Sequence, residues 1–169
     1  LGYGLLSFKT NLQSSIDNLS RGRFKESMEN IKRAEKGLAA AGDLVNSLEV
    51  FSKIPFLEKY FEDANDFIVW SNKVTLSAKD IILGTENLYK GLNAMIGETT
   101  DDPTQFFDQS SVYLSSGEVG LTEVYLKLQD KKINDYLGLV RKAKTASIIL
   151  PEISRDKKSY LVLLQNNME

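Results

Sequence analysis

The chemistry open to this chain is limited first by what it lacks: its 169 residues include neither histidine nor cysteine. Within the chain, that excludes zinc sites of the Cys/His type, disulfides, thiol nucleophiles and every catalytic arrangement built on an imidazole. Carboxylates remain. Glu62, Asp63 and Asp66 cluster early in a long helical stretch, and Asp101 and Asp102 lie side by side in a polar loop. A metal site or acid–base pair is the sharper reading of the first group. Placement near the positive end of a helix dipole, worth a few tenths to about 1 kcal/mol, is the preferred one, because carboxylate metal sites on bundles usually pair Glu-x-x-His. Helix capping accounts for Asp102 without any ligand. Trp70, the single tryptophan, follows Phe67, Ile68 and Val69. It is a candidate binding residue through ring stacking, weighed against ordinary packing of an aromatic on a long helix. Arg141, Lys142 and Lys144 suit a solvated helix end, with contact to anionic lipid or glycan as the minority reading. No catalytic residue, metal ligand or cofactor is assigned, and the chain is read as non-enzymatic.

The elements that must position these residues are helices. Between Phe56 and Ile96 an apolar residue returns every three or four positions, through Leu57, Tyr60, Phe61, Ala64, Phe67, Ile68, Val74, Ala78, Ile81, Ile82, Leu88, Leu92 and Met95. This is the period of an amphipathic helix, and at 1.5 Å per residue it would run roughly 60 Å. Other helices must lie alongside it. The same spacing predicts a first helix over 5–19 and a second from Phe24 to Phe51, closed by Pro55. Ala39-Ala40-Ala41-Gly42 marks a place where two backbones can come close. Gly97 ends the long helix, and Asp102-Pro103 opens the next as N-cap and first helical residue. A short fourth helix is expected over 106–114, with a kink or loop at Ser115-Ser116-Gly117 and Gly120, before helical spacing resumes from Leu121 almost to Pro151. The fold class expected is therefore all-α, an elongated bundle of long antiparallel helices occupying 1–151.

Composition bounds the partners. Twenty-one basic against 23 acidic residues give a net charge of -2, so no global field recruits nucleic acid or an anionic membrane. No apolar run reaches the about 18 residues of a membrane span. The start, Leu1-Gly2-Tyr3-Gly4-Leu5-Leu6, carries the expectation of a membrane anchor just upstream.

After Pro151 the character changes. A charged linker containing Arg155, Asp156, Lys157 and Lys158 leads into Tyr160-Leu161-Val162-Leu163-Leu164, which reads as a short buried strand. One strand makes no sheet, so 152–169 is expected to be a linker and the first strand of a following domain. The stretch Ser159-Tyr160-Leu161-Val162-Leu163-Leu164-Gln165-Asn166-Asn167-Met168-Glu169 resembles the signature of the bacterial membrane-anchored domain of unknown function 4012 family. Met168 stands where that family usually has alanine. The resemblance implies one upstream transmembrane helix, a long helical region outside the cytoplasm, and a polar motif here represented by Asn166, Asn167 and Glu169, which become binding candidates. On that basis the chain is expected to be an extracytoplasmic interaction, sensing or spacer module at the cell surface. Its partner would be a cell-envelope component or another protein, with its oligomeric state left open. A cell-envelope polymer-processing enzyme whose active domain lies downstream is the alternative, and a cytosolic helical scaffold is the third.

Overall fold

A computed structural model describes residues 2–48, 53–54 and 57–155. They form five helices: α1 (Gly2–Ser20), α2 (Phe24–Ser47), α3 (Glu58–Met95), α4 (Pro103–Leu128) and α5 (Lys131–Arg155). The all-α expectation holds for these residues, which contain no strand. The expected strand Tyr160–Leu164 lies outside the described residues.

Two glycines stop helices in the way the chain demands. Gly22 and Gly97 take φ of +69° and +87°, a left-handed conformation that costs a residue without Cβ little. At Gly22 the amide bonds Leu19 O at 3.0 Å and the next amide, that of Arg23, reaches Asn18 O at 2.9 Å. Gly97 repeats the pattern, with its own amide on Ala94 O and that of Glu98 on Asn93 O. Both are Schellman closures, which satisfy the last helical carbonyls. Asp102 opens α4 as the spacing predicts: its Oδ1 accepts from the Thr104 amide at 2.9 Å, and Pro103 fills the first helical position.

The break expected at Ser115–Gly120 does not occur. α4 runs unbroken for 26 residues, and the chain turns instead at Gln129, which adopts φ 54°. Asp130 then caps α5, accepting from the amides of Lys132 at 2.7 Å and Ile133 at 3.2 Å. The physical reason is packing. A Cβ on Gly117 would lie 2.7 Å from Ile81 Cγ1 and 3.1 Å from Ser77 O, and one on Gly120 would collide with the Ser77 hydroxyl. These glycines let α3 approach, and the tertiary contact outweighs their weak helix propensity. Helix α5 likewise continues through the buried Pro151 to Arg155, although a proline there removes the backbone donor that would otherwise reach one turn back.

The helices alternate in direction. α1 and α2 form one hairpin, α3 and α4 a second with the most extensive interface, and α5 folds back on α4. Helix α2 joins the two hairpins through α3, with Gly42 against Ile68 and Phe24 against Tyr89 at a centroid distance of 5.7 Å. The edge-on Phe8–Phe67 pair, 6.3 Å between centroids, ties α1 to the start of α3.

Close helix approach is the common device. At the α1–α2 crossing, a Cβ on Gly4 would lie 2.7 Å from Gly37 O and 3.3 Å from Ala41 Cβ. The small-residue run thus does mark a close approach, but Gly37 and Ala41 make it, while Ala39 and Ala40 face solvent. One end of the same crossing carries a reciprocal pair: Ser15 donates to Ser27 O at 2.9 Å and Ser27 to Ser15 O at 2.8 Å. Between α3 and α4, Phe107 and Leu114, both fully buried, fill the spaces above Gly91 and Gly84. Polar residues buried on α3 bond backwards one turn: Thr75 to Ser71 O, Ser77 to Lys73 O and Asn87 to Leu83 O. Among the described residues no buried side-chain nitrogen or oxygen lacks a partner, as a stable interior requires.

Candidate functional site

Helices α1 and α5 flank the same side of α3 without forming an extensive contact with each other. Among the described residues, the space between them is a partly open apolar cavity of about 530 Å³. One wall is α1, through Leu12, Ile16 and Leu19, and the other is α5, through Ile133, Tyr136, Leu139, Val140 and Ala143. Val74, Ala78, Ile81 and Ile82 of α3 form the floor, with Ile31 of α2 and Leu114 and Leu121 of α4 behind it. The helical spacing produces this surface directly. Leu12, Ile16 and Leu19 share one face of α1, as Ile133, Tyr136, Val140 and Ala143 share one face of α5.

Its polarity is almost fully consumed by the fold. No charged side chain lines it, and the hydroxyls that do are committed elsewhere. Ser15 bonds across to Ser27, Ser20 donates to Asp17 O at 2.8 Å and Thr85 to Ile81 O at 2.7 Å. The phenol of Tyr136, on a side chain 38% exposed, supplies the remaining polar group. A concave, mostly apolar surface of this kind is suited to an occupant.

Trp70 lies elsewhere, half-buried where α3 meets the end of α4. Lys73 Nζ sits 5.0 Å and Lys127 Nζ 5.7 Å from its ring centroid, within range of cation–π attraction. Lys127 also pairs with Asp66 at 3.2 Å, and Lys73 with Glu123. The shallow cleft here, about 310 Å³, is lined by Asp63, Asp66, Phe67, Trp70, Ser71, Val74, Lys127 and Leu128. Trp70 and the expected acidic group therefore share one place, but Asp66 serves an inter-helix ion pair and Glu62 is exposed. Among the described residues no group of three or more acidic side chains is arranged to hold a metal ion.

The basic cluster on α5 also has an internal task. Arg141 Nε bonds Glu118 Oε1 at 2.8 Å and Lys144 pairs with Oε2 of the same carboxylate, while Lys142 faces solvent. Hydrogen bonds from Lys144 and then Arg141 hold the Glu118 pKa below the usual carboxylate value, against a smaller opposing effect of desolvation. Asn166, Asn167 and Glu169 lie outside the described residues. No described helix is long and apolar enough to cross a membrane.

Sequence reasoning missed the cavity. Most of its apolar lining residues were legible as helical faces, but nothing in the spacing shows that α1 and α5 stay apart. No family model, curated protein or solved structure matches this chain.

Proposed function

We propose that this chain is a non-enzymatic interaction module of a membrane-anchored bacterial surface protein, and that it senses or holds a component of the cell envelope through its helical faces. The observation that carries the reading is the apolar cavity between α1 and α5, framed by all five helices. A bundle serving only as a spacer gains nothing from such a hollow, whereas a binding module needs a concave, mostly apolar surface set in a rigid frame. The ion pairs that could have formed a polar reaction centre are spent joining helices: Lys79 to Glu35, Lys73 to Glu123, and Arg141 with Lys144 to Glu118. The cell-surface part of the proposal comes from the resemblance of Ser159–Glu169 to the anchored family, in which Asn166, Asn167 and Glu169 would belong to a following domain.

The test is cellular. An epitope placed in the Gly97–Asp101 loop of the parent protein should fractionate with membranes and be removed by protease added outside intact spheroplasts. The purified chain should in turn be retained by envelope extract. Recovery of the tag in the cytosolic fraction, protected from external protease, would overturn the surface assignment.

A further inference from the structure

We propose that the cavity between α1 and α5 takes the aliphatic tail of a single-chain lipid, with the headgroup left in solvent. The inference deepens the binding-module reading and rests on it.

Size argues first. The cavity is lined over Leu12–Ser20 of α1, Val74–Thr85 of α3 and Ile133–Ala143 of α5, so it is about 12 to 16 Å long at 1.5 Å per residue. An extended alkyl chain advances ~1.3 Å per carbon, so ~9 to 12 carbons span that length. A helix of a second copy is the competing occupant, and self-association distinguishes it.

Chemistry argues in the same direction. A carboxylate, phosphate or ammonium group finds no charged partner among the lining residues, and the hydroxyls of Ser15, Ser20 and Thr85 already donate to backbone carbonyls. A peptide in extended form would bring amide groups into the same wall and leave them without partners. An alkyl chain has no such groups. Recognition should then depend on chain length and hardly at all on the headgroup, whose only polar neighbour is the Tyr136 phenol at the edge.

Equilibrium dialysis of the chain against radiolabelled decan-1-ol, hexadecan-1-ol and hexadecanoate tests this, each below its aggregation limit. Expected are one saturable site, affinity rising about two- to fourfold per methylene, hexadecan-1-ol and hexadecanoate agreeing within a few-fold, and a plateau for chains longer than the cavity. Ala143→Leu and Ala78→Leu fill the space from opposite walls and should lower hexadecan-1-ol affinity at least tenfold while thermal melting shows a folded protein. Ala39→Leu, on the exposed face of α2, should leave binding unchanged. Three results would overturn the proposal: no saturable binding tighter than about 100 µM, the strength of one acyl chain in a bilayer; binding that follows headgroup charge; or binding that survives both filled variants. Self-association abolished by Ala143→Leu, with no lipid bound, would assign the cavity to a second copy and overturn it equally. None of these outcomes touches the fractionation test of the surface module, so the two readings fail separately.

Discussion

Replacing Gly84 by alanine should destabilise the bundle even though alanine is the better helix former. A Cβ built on Gly84 lies 2.6 Å from Leu114 Cγ, 2.9 Å from its Cδ2 and 3.0 Å from its backbone nitrogen. Leu114 is fully buried; its side chain can yield only toward the cavity it borders, and its nitrogen is fixed within α4. Either α4 withdraws or Leu114 leaves its rotamer, an overpacking cost of about 1–3 kcal/mol. Against this stands a propensity gain of about 1 kcal/mol for any interior Gly→Ala change. Gly138, inside α5 with nothing within 4 Å of its built Cβ, isolates that gain, because Gly138→Ala has the same propensity term and no clash. The difference between the two variants therefore reads overpacking alone. In thermal melts followed by far-UV circular dichroism, Gly138→Ala should melt above the parent and above Gly84→Ala. The gap should be roughly 2–12 °C, from 2–4 °C per kcal/mol in a chain of this size. A Gly84→Ala protein melting as high as Gly138→Ala would refute the argument that this glycine exists to admit Leu114.

Two further substitutions probe features that decide the topology. Gln129→Gly should raise stability by several tenths to about 1 kcal/mol in urea titration, because Gln129 sits at φ 54°, where a side chain is disfavoured; a loss would show that the Gln129 side chain, which donates to Leu126 O at 2.9 Å, matters more. Glu118 has a folded-state pKa below its unfolded one, so its contribution is present above the unfolded value and disappears as pH falls through the folded one. Comparing the parent with Glu118→Gln should show a stability advantage of at most about 1 kcal/mol at neutral pH, vanishing on acidification; a difference independent of pH would sink the ion-pair account.

Periodicity made α1, α2 and α3 legible as elements, and the helical character of α4 and α5 but not their division, because each helix buries one face and exposes the other. Gly97 and Asp102-Pro103 were legible for a related reason: a left-handed stop and an N-cap are local chemistry. The failures share a cause. Gly117 and Gly120 look like breakers in isolation, but their meaning depends on Ile81 and Ser77 across the α3 interface. The true break, at Gln129-Asp130, carries no glycine or proline, and only the Asp130 cap hints at it. The cavity was hidden at a further remove: most of its apolar lining residues read as core, and whether facing helices meet is a property of the assembly. Trp70 could be weighed as platform or packing, but not placed between two lysines 54 positions apart in the chain.

The parity of the bundle has a mechanical consequence. With an odd number of alternating helices, α1, α3 and α5 point the same way. Phe8 stands level with Phe67, and Glu118, which binds Arg141 and Lys144, stands beside Gly117 packed on Ser77 and Ile81. Carrying these registers outward puts Gly2 and Arg155 at opposite poles, about 45 Å apart along α3. The two poles are thus held apart by the length of a strut. Since α1 and α5 are the two helices that bound the cavity, an occupant that wedged them apart would tilt one pole against the other.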